Sequence, residues 1–227
     1  MKAGYSNKFT IVMTLGMAWS AYWIAQDPPS VAGVLMVVVF CYFLTDVVSG
    51  LLHIILDNPR SLELNAIESL ADGFQKHHAD PRGITELPLY EHLYVMHLPL
   101  TLLFLAVLPF HTSLVYVVFL SMVLWLHVMQ MSHRWAHARK NQLPPIAALL
   151  QRANLLIDFP AHAKHHREPY SKDFCIMNGL FNRPLNSVVR RVGNTSHAWI
   201  GIFFAVCLTP LAFAYGIARR VLNTRQR

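Results

Sequence analysis

The sequence predicts an all-α integral membrane protein: four or five transmembrane helices, with a histidine-rich cytoplasmic cap that holds a two-metal site. Three observations predict it. Only 14% of the 227 residues are charged and 54% are hydrophobic, where a soluble domain carries about 25% charged residues. The apolar residues gather into runs long enough to cross a bilayer. The 13 histidines outnumber the 12 carboxylates, a costly excess in an apolar chain unless the imidazoles face a partner, a cavity or a metal. Low charge and long apolar runs exclude disorder, a coiled coil and a nucleic-acid-binding module. The net charge of +7 then reads as topology-setting charge. Cys41, Cys175 and Cys207 make no even framework and imply neither a disulfide nor a thiolate metal site.

Residues 9–25 form the first apolar run, behind a basic head of Lys2 and Lys8. The run lacks a small-residue cleavage site and another follows at once, so it reads as a retained span rather than a signal peptide. Gln26-Asp27-Pro28-Pro29 makes a turn, because paired prolines cannot continue a helix. Residues 31–56 exceed, at about 1.5 Å per residue, a hydrocarbon core of about 30 Å. The end of that run, carrying His53 and Asp57, is expected to emerge at the interface. A polar stretch follows. The runs at 93–110 and 113–131 are joined by His111-Thr112, a link short enough only for a hairpin. Residues 132–197 are polar and histidine-rich, with an amphipathic stretch at 145–157 suited to lying on the membrane surface. The last run, 198–218, is broken by Pro210 and reads as a span or a re-entrant segment. The whole chain, 1–227, reads as one membrane-embedded domain. With a cytoplasmic N-terminus, residues 1–8, 57–91 and 132–197 share one side and hold 15 of the 19 lysines and arginines, as the positive-inside rule requires.

Eight histidines fall on that side in four groups: His53 with Asp57, His77-His78, His133 with His137, and His162 with His165-His166. Residues i and i+4 stack on one helix face, so each spaced group can aim two donors at one point. Imidazole suits iron, copper and zinc. Eight histidines exceed what one zinc takes and suit two ions. A zinc protease motif is excluded, because Arg134 stands where His-Glu-x-x-His needs its glutamate. Haem between paired histidines needs them at membrane depth, whereas these lie at helix ends and in loops. A metal transporter needs polar residues along a mid-membrane path, and the apolar runs offer little beyond His97 and His127. Structural roles are expected for His111, His127 and His197. His92 and His97 are open between supporting the site and simple interface roles.

The stretches Thr45-Asp46-Val-Val-Ser49-Gly50-Leu-Leu-His53, His77-His78-Ala-Asp80-Pro81, His133-Arg-Trp-Ala-His137 and Phe174-Cys175-Ile-Met-Asn-Gly179-Leu-Phe-Asn182 resemble one branch of the histidine-box membrane desaturases and hydroxylases. That branch is the Kua-type lipid desaturases, and the resemblance covers about residues 43–190. It implies a non-haem di-iron centre, O2 as co-substrate, and electrons from a cytochrome b5- or ferredoxin-like donor. It also implies a membrane lipid whose alkyl or acyl chain is desaturated, plasmanyl lipids being the leading case; a hydroxylase is the alternative. The implied ligands are His53, His77, His78, His133, His137, His162, His165 and His166, and no residue beyond the metal centre is assigned a catalytic role. Asp57, Asp80, His92, Asn154 and Tyr170 are expected as further ligands or as hydrogen-bonding neighbours. The plasmalogen-type pattern has histidines where this chain carries Leu87, Asn154 and Tyr170.

Overall fold

The computed structural model describes residues 7–58 and 68–209, and every regular element among them is helical. In chain order the helices are α1 (Lys8–Gln26), α2 (Val31–Asp57), α3 (Glu68–Ala79), α4 (Gly83–Glu86), α5 (Leu89–Tyr94), α6 (His97–Val107), α7 (Ser113–His137), α8 (Pro145–Arg152), α9 (Phe159–His162), α10 (Asn182–Val192) and α11 (Ala198–Thr209). Among the described residues, three stretches are long and apolar enough to cross a membrane: Val31–Asp57, Leu89–Val107 and Ser113–His137. α1, although 19 residues long, is not among them, because two tryptophans, a tyrosine, two threonines and a serine dilute its apolar content.

Two elements depart from the sequence pattern. The run expected at 93–110 is interrupted at Val95–Met96, where a turn separates α5 from α6. Pro99 accounts for it: a proline has no N–H to give the carbonyl four residues back, here Val95, and its ring crowds that carbonyl. The chain turns there through a Met96 N–H to Leu93 carbonyl bond of 3.1 Å and resumes as α6. α7 runs six residues past the expected end of its apolar run, to His137, because no glycine or proline interrupts it. α11 is described as far as Thr209, and the remainder of the 198–218 run lies outside the described residues.

The chain divides into two compact units. The first comprises residues 1–43, 93–127 and 207–227. Within it α1 packs on α6, and Gly16 admits the Phe104 ring so closely that a β-carbon there would lie 2.7 Å from it. Polar side chains are paired internally: Thr10 with His97 Nδ1 at 2.8 Å, Trp19 Nε1 to the Tyr116 hydroxyl at 3.1 Å, and Trp125 Nε1 to the Val38 carbonyl at 2.8 Å. Outward ridges such as Ile11, Leu15, Leu35, Val39, Leu102 and Leu105 are exposed and apolar, the pattern of a lipid-facing surface.

The second unit comprises residues 44–92 and 128–206. Its core joins Leu51, Ile54 and Ile55 of α2 to Phe174, Cys175, Leu185, Val189 and the fully buried Trp199. Gly50 is required where α2 meets this core, since a β-carbon would lie 2.7 Å from Cys175 Sγ and 2.6 Å from Leu185 Cδ2. The buried Asp46 carboxylate accepts three backbone N–H groups, from Asn178, Gly179 and Phe181, each at 3.0 Å. Ser49 Oγ accepts from Ile176 N–H at 3.0 Å, and Ser132 Oγ of α7 donates to the Met177 carbonyl at 2.7 Å. Segment 174–182 is thereby strapped to α2 and α7.

Candidate metal centre

Four chain segments deliver the clustered histidines. His53 and Asp57 lie in the last turns of α2, His77 and His78 at the end of α3, and His133 and His137 at the end of α7. His162 ends α9, and His165 and His166 follow in turns rather than in a continuing helix, with His165 N–H bonded to the His162 carbonyl at 2.9 Å. These side chains form two groups. His77, His133, His137, His162 and His166 make one; His53, Asp57, His78 and His165 make the other. Within each group the ligand atoms lie within 4.8 Å of one another. Backbone geometry explains the partition. The i, i+4 pairs His53/Asp57 and His133/His137 share a face and stay together. Adjacent residues on a helix point about 100° apart, so His77 and His78 are divided between the groups. His165 and His166 are also divided between the groups, by the turn that follows α9, and His162 joins His166.

Several buried atoms here have no hydrogen-bond partner: both ring nitrogens of His53 and of His77, Nε2 of His133 and His137, Nδ1 of His162 and His166, and both Asp57 oxygens. Buried polar atoms are ordinarily satisfied, so this concentration needs a ligand to account for it. His162 Nε2 and His166 Nε2 are 3.1 Å apart, and His78 Nε2 and His165 Nε2 are 3.2 Å apart. Two nitrogens about 2.1 Å from one ion and at right angles lie about 3.0 Å from each other. Asp57 stands 3.4 Å from both His78 Nε2 and His165 Nε2. Five donors in one group and four in the other fit two ions, and a set dominated by imidazole suits a first-row transition metal.

The electrostatics favour ligation. Burial, reinforced by neighbouring imidazoles, pushes His77 down to about 2 and His166 down to about 3. Burial likewise holds His165 at about 4 and lowers His162 and His78. Uncharged imidazoles keep a lone pair for a metal. Orientation comes from surrounding groups. His165 Nδ1–H donates to the Lys172 carbonyl at 3.0 Å, which leaves Nε2 facing its group. Phe174 packs on the His165 ring at 5.1 Å, Phe74 on His53 at 5.0 Å and Tyr170 on His78 at 4.6 Å.

Other residues singled out in the sequence lie elsewhere. His92 is buried and donates from Nε2 to the Gln130 carbonyl at 2.8 Å. Asp80 is exposed, and Asn154 is exposed in a left-handed turn (φ 56°) after α8; neither joins a group. Leu87 gives its carbonyl to Arg134, whose guanidinium also takes those of Ile84 and Thr85 at 2.7 Å. His97, His111, His127 and His197 stand outside both groups. Asp46, Ser49, Ser132 and Arg134 support the surrounding structure, a role that sequence reasoning gave to none of them. Asp46 carried a usable signal, as an aspartate inside an apolar run with no cation in reach along the helix.

Comparison with known proteins accords with this arrangement. The model of the lipid desaturase domain matches residues 42–192. Fatty acid desaturase 4, chloroplastic, of Arabidopsis thaliana is 31% identical over 146 residues, 64% of this chain and 45% of the relative. Fatty acid desaturase 4-like 2, chloroplastic, from the same plant is 30% identical over 174 residues, 76% of this chain and 59% of the relative. Plasmanylethanolamine desaturase of Myxococcus xanthus is 30% identical over 160 residues, 68% of this chain and 56% of the relative. The chain thus spans about half the length of the curated relatives it matches. No solved structure matches it with significance. A domain match over most of the chain, covering all four histidine segments, places the protein in the lipid desaturase domain family.

Proposed function

We propose that the protein is an O2-dependent di-iron desaturase that places a double bond in an alkyl or acyl chain of a membrane lipid. The observation that carries the reading is the pair of adjoining donor groups, five ligands and four, within a family whose relatives are named desaturases. Two bound irons, with O2, two electrons from an external donor and two protons from solvent, would supply the oxidising power to remove one hydrogen from each of two neighbouring CH2 groups, both oxygen atoms leaving as water. His77, His133, His137, His162 and His166 would hold one ion; His53, Asp57, His78 and His165 the other. The Lys172 carbonyl fixes the His165 tautomer, and Phe74 and Phe174 keep water from their sides of the site. A plasmanyl lipid, as in the name of the Myxococcus relative, is the leading substrate, and a cytochrome b5- or ferredoxin-like protein the electron donor. α1 serves as a fourth span, and the donor groups face the cytoplasm with the N-terminus.

Elemental analysis of the purified protein tests the centre: about two irons per chain are expected, and one zinc or no metal overturns it. His133→Ala should insert into the membrane yet leave the lipid saturated in cells relying on this protein. A hydroxylated lipid in place of an alkene overturns desaturation while keeping the metal centre.

A further inference from the structure

The chain just beyond the last donors turns back onto the four-donor group. Tyr170 lays its ring on the His78 imidazole, with centroids 4.6 Å apart and planes inclined by 33°, within contact range for a pair of aromatic rings. Its backbone is held at φ 55°, and Asp173 follows at φ 59°. Such left-handed angles are uncommon outside glycine, and for a bulky tyrosine they persist only where the surroundings enforce them. Here the enforcing bonds are specific. Tyr170 N–H donates to the Arg167 carbonyl at 3.0 Å. Asp173 and Asn186 of α10 exchange two bonds of 2.9 Å, Asp173 N–H to Asn186 Oδ1 and Asn186 Nδ2–H to Asp173 Oδ1. Just before Asp173, the Lys172 carbonyl takes the His165 Nδ1–H. One short loop therefore touches two donors of the same group, His78 with a ring and His165 with a carbonyl.

Phe74 and Phe174, which pack on His53 and His165, are hydrocarbon rings and hard to oxidise. Tyr170 is a phenol, which gives up one electron readily when its proton leaves at the same time. The residue is half-buried, and its hydroxyl bonds to no described residue and is open to solvent. Water can take that proton. We propose that Tyr170 is a redox relay that spares the donor histidines: when O2 is consumed with no lipid in place, Tyr170 yields one electron to the metal centre through His78. The proposal rests on the di-iron reading. Reduction of O2 to two waters takes four electrons, and in desaturation two of them come from the C–H bonds of the lipid. With no lipid, those two must come from elsewhere. Tyr170 gives one, its O–H proton passing to water as the residue becomes a phenoxyl radical, and the external electron donor gives the other. A further electron from that donor and a proton from water restore the phenol.

Electron paramagnetic resonance of the purified full-length protein in detergent tests this, on samples loaded with ferrous ion and frozen soon after O2 is added without lipid. Excess ferrous ion is the reductant, so that three ferrous ions and Tyr170 supply the four electrons. A radical signal should appear, and it should narrow when the protein is grown on ring-deuterated tyrosine. Tyr170→Phe keeps a ring on His78 and should abolish the signal with no change in bound iron. On repeated exposure to O2, peptides carrying the donor histidines should gain oxygen faster in Tyr170→Phe than in the parent. Tyr90→Phe, at an exposed tyrosine outside both donor groups, should leave the signal as it is. An iron-loaded parent with no radical, or a signal that ignores deuteration or survives Tyr170→Phe, overturns the relay and leaves the desaturase reading standing. Loss of iron from Tyr170→Phe makes the residue a structural cover for His78 and likewise overturns the relay. A parent protein that binds no iron overturns both.

Discussion

At the scale of single residues, the chemistry turns on which neighbour of an adjacent histidine pair points where. His77 is one of five donors and His78 one of four, though they are consecutive in the chain. Removing one donor of five leaves four imidazoles, enough for a first-row ion; removing one of four leaves His53, Asp57 and His165. His78→Ala should therefore lower the metal content by about one ion per chain, while His77→Ala keeps both ions with weakened affinity. Metal-to-protein ratios after dialysis against a mild chelator check this, and equal losses from the two variants would show that the division is wrong. The pairing of His53 with Asp57, of His133 with His137 and of His162 with His166 was legible in the sequence, because i, i+4 spacing reports a shared direction. The division of His165 from His166 was not legible. α9 ends at His162, and beyond a helix end the spacing rule no longer says where side chains point.

At the scale of elements, the site depends on the strap formed by segment 174–182. Asp46 alone accepts three of its backbone N–H groups. Asp46→Ala would leave those donors buried and unsatisfied, at about 1–3 kcal/mol each, so a loss of about 3 kcal/mol or more is expected. Asp46→Asn keeps one oxygen acceptor and should lose less. Thermal unfolding of both variants in detergent measures the order, and an Asp46→Ala protein as stable as the parent would remove the strap from the account. Gly50→Ala tests the same joint by volume. A methyl 2.6–2.7 Å from Leu185 Cδ2 and Cys175 Sγ forces both to shift, and overpacking of this kind costs about 1–3 kcal/mol. No change in unfolding temperature would mean that the core yields freely there. The helices themselves were largely legible. Turn residues marked the start of α2. The break before α6 came from Pro99, well inside the apolar run expected at 93–110, where hydropathy alone gave no warning. The strap was not legible, because its bonds join residues 127–135 positions apart and backbone donors leave no mark in side-chain patterns.

At the scale of the whole molecule, the low charge and the surplus of histidine have separate causes. The apolar bulk suits a bilayer, and the grouped histidines suit metal. Basic residues connect the two, because they set which side of the membrane the ligands occupy. If the positive-inside rule governs, the link before α2 lies outside and the turn after α7 lies inside, whether or not α1 spans. Pro28 and Asn141 are both exposed and mark those two places. Native Cys41 and Cys175 are buried and Cys207 is half-buried, so added cysteines can be read against a low background. In intact cells a membrane-impermeant maleimide should label Pro28→Cys and spare Asn141→Cys; after permeabilisation both should react. The reverse pattern would put the histidines outside, away from any cytoplasmic electron donor, and the proposed redox chemistry would fail with the topology. Equal labelling of both in intact cells would mean that α2 and α7 do not cross, and the exposed apolar ridges of Leu35, Val39, Leu102 and Leu105 would then need a protein partner instead of lipid.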